Sequence, residues 1–192
     1  MNWVIPGTTL TAKTQDAVHI EQQFRAMFLA GGMVLSQVSA ITGLEPYTVQ
    51  NWVKRGFLTS PKQKRYDMSQ LCRIININML KAALPMEQIC GLLTYINGCL
   101  DDSSDDLIDD AVLYFLFVRL AANYSMMNNS QGREAYLEEV LADYREPMPG
   151  AKERVRKVLR VMLTAWAAAM LRQKAGQMAA TLNENEQKTE KE

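Results

Sequence analysis

The stretch Gly43-Leu44-Glu45-Pro46-Tyr47-Thr48-Val49-Gln50-Asn51-Trp52 decides how this chain is read. Just before it, Leu35, Val38 and Ile41 recur at helical spacing, and Gly43 suits the left-handed residue that closes a helix. Pro46 fits the first turn of a second helix, where its missing N–H does no harm. That helix runs to about Arg55 and stops at Gly56. Val38, Leu44, Val49 and Trp52 are apolar where two such helices would pack, and Ser39 is a small residue inside the first. The spacing makes Trp52 a core residue rather than a base contact. Two short helices joined in this way form a helix-turn-helix pattern. In such a motif the second helix enters the major groove and presents polar side chains to base edges. The outward candidates are Tyr47, Thr48, Gln50, Asn51, Lys54 and Arg55. Asn and Gln can pair with adenine through two hydrogen bonds, and Arg or Lys can read guanine or phosphate.

Immediately downstream lies Lys62-Gln63-Lys64-Arg65-Tyr66. Thr59–Arg65 contains Pro61 and polar residues, so it reads as a tight loop or a small β-hairpin. Lys62, Lys64, Arg65 and Tyr66 in such a loop suit phosphate contacts that fix register.

Outward from this unit the chain is helical. His19–Ala30 carries Ile20, Phe24, Met27 and Phe28 at helical spacing and stops at Gly31-Gly32. Residues 1–18 read as irregular. Asp67 or Ser69 caps a helix bearing Leu71, Ile74, Ile75, Met79 and Leu80, which Pro85 interrupts. A further helix follows from Met86 to about Ile96, ending at Asn97-Gly98. Asp101–Asp106 is an acidic loop, Leu107–Met127 a largely apolar helix, Arg133–Tyr144 a short helix and Ala151–Leu182 a long one. The class is mainly α, with a small β-hairpin wing on an N-terminal winged helix-turn-helix and an α-helical C-terminal region. The expected divisions are an extension with one helix at 1–32, the helix-turn-helix domain at 33–100, a helical dimerisation or partner region at 101–182, and a polar tail at 183–192 that should fray.

These residues carry a family resemblance. Residues 35–96 resemble the MerR-type winged helix-turn-helix. Leu35, Val38, Ile41 and Gly43-Leu44 match its first helix and turn, and Thr48-Val49-Gln50, Trp52 and Gly56-Phe57-Leu58 match the second helix and its exit. Lys64-Arg65-Tyr66 matches the end of the wing, and Pro85-Met86-Glu87-Gln88-Ile89 the link between the next two helices. The quoted run from Gly43 to Trp52, with Tyr95-Ile96-Asn97-Gly98, is more similar still to an uncharacterised bacterial family of MerR-like domains, domain of unknown function 1836, over roughly residues 33–120. The resemblance implies sequence-specific binding of double-stranded DNA by a homodimer, with Glu45–Arg55 in the major groove and the wing on the backbone. Two positions depart from MerR regulators: Gln50 and Lys64 stand where those usually carry Arg. The wing also lacks their usual Gly.

Formal net charge is zero, with 21 Lys+Arg against 21 Asp+Glu over 192 residues, which on its own discourages a nucleic-acid partner. The charge is not evenly spread. Residues 45–81 carry +5, residues 82–118 carry −7 and residues 151–182 carry +6. A nucleic-acid footprint is a local property, and the first basic segment coincides with the helix-turn-helix pattern. The last helix carries Val155, Val158, Leu159, Met162, Leu163, Trp166, Met170 and Leu171 on one stripe, with Lys152, Arg154, Arg156, Lys157 and Arg160 opposite. That pattern reads as a core or dimerisation helix before it reads as a membrane or phosphate binder. Its cations could instead pair with the acidic 82–118 segment.

Other function classes have little support. Asp101, Asp102, Asp105, Asp106, Asp109 and Asp110 lack the ligand spacing of a calcium loop and suit the start of a helix. Cys72, Cys90 and Cys99 form no C-x-x-C, and His19 has no catalytic partner in any known arrangement, so neither metal, cofactor nor enzyme activity is expected. Without a secretory pattern or an apolar run near 20 residues, the chain is expected to be cytoplasmic, with no membrane partner. The readings that compete are a DNA-binding regulator and a helical protein-interaction module that kept the scaffold without binding DNA. An effector, small molecule or protein, would use Tyr114, Phe115, Phe117, Tyr124 and Trp166.

Overall fold

In the computed structural model, which describes residues 2–100, 102–124 and 130–189, Gly43 sits at φ 68° and closes a helix as its position in the sequence requires. That helix, α2, spans Leu35–Thr42, and the Gly43 N–H donates to the Ser39 carbonyl at 2.8 Å. The next, α3, spans Pro46–Lys54 with Pro46 in its first turn. Val38, Leu44, Val49 and Trp52 are buried between them and the rest of the core. The chain leaves α3 through Gly56 at φ 72°.

Two small sheets flank these helices. Strand β1 (Asn2–Val4) pairs antiparallel with β2 (Thr11–Lys13), Trp3 opposite Ala12. The N-terminal segment is therefore a hairpin rather than irregular chain. Its turn presses on the core: a Cβ at Gly7 would lie 2.7 Å from the Ile75 carbonyl oxygen. Strand β3 (Met33–Val34) pairs with β4 (Arg65–Tyr66) from across the two helices. Lys62 bridges Arg65, so 62–65 is a tight turn, but the strand that β4 completes lies before α2.

Helix α1 (Ala17–Met27) buries Ile20 and Phe24. Helix α4 (Met68–Leu80) begins at Asp67, whose Oδ1 accepts from the Gln70 N–H at 2.8 Å while Gln70 Oε1 accepts from the Asp67 N–H at 3.0 Å. This reciprocal cap explains the sharp start. Residues Leu71–Ile77 of α4 are buried on every side, the mark of a helix packed within a core rather than on it. Helix α5 (Met86–Asn97) follows the Pro85 break. Helix α6 (Asp110–Ala122) packs chiefly against α4 and starts three residues later than the sequence reading, because Asp109 accepts from the Ala111 and Val112 N–H groups. Leu107 and Ile108 are buried ahead of it in a bend of the chain. Phe24, Tyr114 and Phe115 stack together at centroid separations of 5.4–5.9 Å, and the Tyr114 hydroxyl donates to the Pro6 carbonyl.

Helix α7 (Ser130–Val140) packs on α6, and α8 runs from Ala151 to Thr189. That helix takes in residues 183–189 of the tail. One hydrophobic core extends from Ile5 to Ala165. Eight α-helices and two small sheets make the described chain mainly helical, and none of its helices is long and apolar enough to cross a membrane.

Candidate nucleic-acid interface

Helix α3 has two unlike faces. Val49 and Trp52 turn inward, and Val53 is half-buried. Tyr47, Gln50, Asn51, Lys54 and Arg55 are exposed, Tyr47 at 70%, and Thr48 is half-buried. Three-to-four-residue spacing places Tyr47, Gln50, Asn51 and Lys54 on one outward stripe. Arg55 lies over the Phe57 ring at 4.9 Å, which steadies its guanidinium at the helix exit.

The 62–65 turn stands beside this stripe. A groove of about 760 Å³ between α3, the start of α2 and the turn brings Gln50, Lys54, Lys64 and Tyr66 together. Val34, Leu35, Ser36, Val53 and Pro61 complete its wall. Ser36, exposed in the first turn of α2, was not among the sequence candidates. Only the pairing of β3 with β4 brings it near Lys64, a relation that no local spacing displays. Thr48, Tyr47, Asn51, Arg55, Lys62 and Arg65 lie outside the groove wall.

The turn holds its shape at a cost. Gln63 and Lys64 both have positive φ, 51° and 61°, and the Arg65 N–H donates to the Lys62 carbonyl at 2.9 Å. Two consecutive left-handed residues are usual for Asn and Gly, not for Gln and Lys. Arg65 is exposed and donates to the Gly32 carbonyl at 2.7 Å, tying the turn to the chain entering β3.

One candidate is corrected. Tyr66 is buried at 3% exposure, and burial raises its phenol pKa. Strand alternation sends Arg65 outward and Tyr66 into the core, so Tyr66 supports the groove from beneath and does not offer its hydroxyl to a phosphate. Arg73, part of the basic count for 45–81, is also removed from the surface. Its Nη1 meets Asp110 Oδ2 at 3.0 Å and its Nε donates to the Phe57 carbonyl at 3.0 Å.

The two basic segments differ in how their charge is used. On α8, Arg156 pairs with Glu138 and Glu153, Arg160 with Glu134, and Lys152 with Glu138. Arg154 lies over the Tyr95 ring at 4.5 Å and donates to the Tyr95 carbonyl. Lys152, Arg156 and Arg160 therefore answer the glutamates of α7 and α8, not the aspartates of 101–110. Among the described residues, Lys54, Arg55, Lys62, Lys64 and Arg65 make no ion pair.

The remaining sequence candidates fall into place as structure. Tyr114, Phe115 and Phe117 are core rings rather than a ligand pocket, and Trp166 packs edge-on against Phe117 and Tyr124. Met170 and Leu171, expected on the inward stripe of α8, are exposed. Cys72 is buried, Cys90 half-buried and Cys99 exposed, and no group of metal-ligating side chains forms among the described residues.

Fold and site together define a mainly helical protein with an exposed polar and basic face on a short helix beside a strained basic turn. Residues 32–117 match a family described as a domain of unknown function (DUF1836), a match that takes in everything from β3 to the middle of α6. No curated protein and no solved structure matches the chain.

Proposed function

We propose that the protein is a sequence-specific DNA-binding transcriptional regulator that acts as a dimer through a MerR-like winged helix-turn-helix. In this reading α2 and α3 are the two helices of the motif, α3 enters the major groove, and the 62–65 turn is the wing that rides on the backbone. Gln50 and Asn51 face base edges, with Lys54 and Tyr47 on the same stripe. Lys62, Lys64 and Arg65 neutralise phosphates and set the register.

The observation that carries this reading is the placement of unpaired charge. Five cations of one segment, Lys54 and Lys64 in the groove wall and Arg55, Lys62 and Arg65 beyond it, stand exposed without a carboxylate partner, while Lys152, Arg156 and Arg160 of α8 pair with glutamates. A net charge of zero hides that asymmetry. Dimerisation is supported by α8, whose residues Val161, Thr164, Ala168, Leu171, Ala175, Met178 and Leu182 are all exposed and follow an alternating three-and-four spacing. That spacing is the seam of a coiled coil.

Selection of bound fragments from random or genomic DNA at two salt concentrations tests the proposal. An enriched inverted repeat whose recovery falls steeply with salt is expected. Absence of any enrichment would overturn it in favour of a scaffold that binds protein.

A further inference from the structure

A second feature lies at Arg73, where α4, the end of α5 and the start of α6 line a cavity of about 250 Å³. Two of its wall residues are deeply buried and carry polar atoms without partners. Asn97 is 5% exposed and Asp110 is 8% exposed, and neither Asn97 Oδ1 nor Asp110 Oδ1 has a hydrogen-bond partner. A native protein rarely leaves such atoms unpaired, because each keeps the cost of leaving water without recovering it. Both are acceptors, so what these two atoms lack is a donor.

Its charge asks for the same thing. Asp67, Asp106 and Asp109 also line the cavity, and Arg73 is the single cation there, already committed to Asp110 Oδ2 and the Phe57 carbonyl. Burial, with Asp105, Asp109 and Asp102 nearby, raises the acid pKa of Asp106 in spite of Arg73. No cation of α8 lines this cavity, and Lys152, Arg156 and Arg160 pair with α7 instead. The carboxylates do not converge as a metal cage among the described residues. A small volume, net negative and with two unpaired acceptors in its wall, suits a compact positive donor better than a drug-sized apolar ligand.

We infer that this cavity binds a small organic cation through a primary ammonium group, with Asn97 Oδ1 and Asp110 Oδ1 accepting from it and Asp106 at its edge supplying charge. An ammonium carries three donors on a single centre, which matches acceptors that belong to different side chains. Asn97 sets the position of the nitrogen, and the rim carboxylates raise the local concentration of cations. The inference does not depend on DNA binding.

Calorimetric titration and thermal melting of the full chain with 1,4-diaminobutane test it, using 1,4-butanediol as a neutral analogue of equal length and sodium chloride and magnesium chloride at matched ionic strength. Saturable binding of the diamine, with a rise in melting temperature that the diol and both salts fail to produce, is expected. Asp106→Asn, at the rim and only half-buried, should weaken the diamine at least tenfold while leaving the fold intact. Asn97→Leu removes the unpaired acceptor, so it should abolish the diamine effect without lowering the stability of the free protein. An equal response to the diol, a response to magnesium alone, no saturable heat, or unchanged affinity in Asp106→Asn would each overturn the inference.

Discussion

Arg73 Nη1 and Asp110 Oδ2 meet at 3.0 Å with both side chains about nine-tenths buried, joining α4 to α6 in the middle of the protein. The pair does not hold Asp110 in the ordinary carboxylate range. Burial pushes its pKa from 3.8 up to about 6, Arg73 pulls the other way, and Asp109 and Asp106 add repulsion. The folded state therefore binds the proton more tightly than the unfolded chain does. Stability from this group is complete below pH 4, falls as pH rises through about 6, and is flat above that. A shift of about two units corresponds to about 3 kcal/mol. Asp110→Asn cannot titrate, so the stability of the natural protein relative to the variant should fall by about that amount between pH 4 and pH 7 in urea unfolding. A difference that stays constant with pH would show that Asp110 is ionised throughout.

The strain in the turn makes a second prediction. Left-handed φ costs a residue with a Cβ about 1 kcal/mol, and Gly escapes that cost. Gln63 is exposed, so nothing in its side chain offsets the strain by packing. Gln63→Gly should raise the unfolding free energy by about 1 kcal/mol, and Gln63→Ala, which keeps the Cβ, should not. Destabilisation by Gly in a urea melt would mean that the turn leaves its left-handed conformation in solution.

Much of the fold was legible because its punctuation is chemical. Gly43, Pro46, Gly56, Pro85 and Gly98 each stop or start a helix where local backbone chemistry demands it, and Asp67 with Gln70 writes a cap into the sequence. What was illegible depends on distance along the chain. Val34 pairs with Arg65 and Arg73 with Asp110, and no periodicity within a helix or strand reports either partner. Tyr66 was misread for that reason: beside Lys64 and Arg65 it looks like part of a basic contact surface, until pairing with Met33 makes it a strand residue facing inward. The strands Asn2–Val4 and Thr11–Lys13 are three residues each, too short for alternation to show. The face of α3 was legible because helical spacing alone separates Tyr47, Gln50, Asn51 and Lys54 from Val49 and Trp52.

On the proposed DNA surface, phosphate and base contacts should separate by their salt dependence. Each phosphate neutralised contributes about −0.9 to the slope of log affinity against log salt. Lys64→Ala should therefore weaken binding about equally for all sequences and lower the slope by about 0.9 per protomer. Gln50→Ala should leave the slope unchanged and relax preference at one base position, at a cost of about 1–3 kcal/mol for the preferred base. Joint replacement of Lys54, Arg55, Lys64 and Arg65 by Ala should abolish retardation of selected fragments without unfolding, since all four are exposed. Binding by that variant as tight as the natural protein's would place the DNA surface elsewhere.

The last prediction concerns α8, which at 39 residues is about 58 Å long, so it outruns the core that packs its first half. Val155, Val158, Leu159 and Met162 are buried, yet every residue from Met170 to Leu182 is exposed. An isolated helix of that length gains little from its own hydrogen bonds and draws most of its stability from burying an apolar face. Leu171 and Met178 stand at 67% and 60% exposure on the stripe of three-and-four spacing, with Ala175 between them keeping a partner helix close. Sedimentation should give twice the chain mass of 21.7 kDa for the natural protein. Leu171→Glu with Met178→Glu should give the single chain mass, because buried carboxylates without partners would oppose the seam. Neither residue touches the folded core, so the core helicity and its cooperative unfolding should survive both changes, separating lost association from lost structure. In the monomeric variant, binding to an inverted repeat should drop to that of a single half-site, because one protomer cannot hold both halves. A natural chain that sediments as a monomer at all concentrations, or a charged double variant that still pairs, would remove α8 as the dimer element.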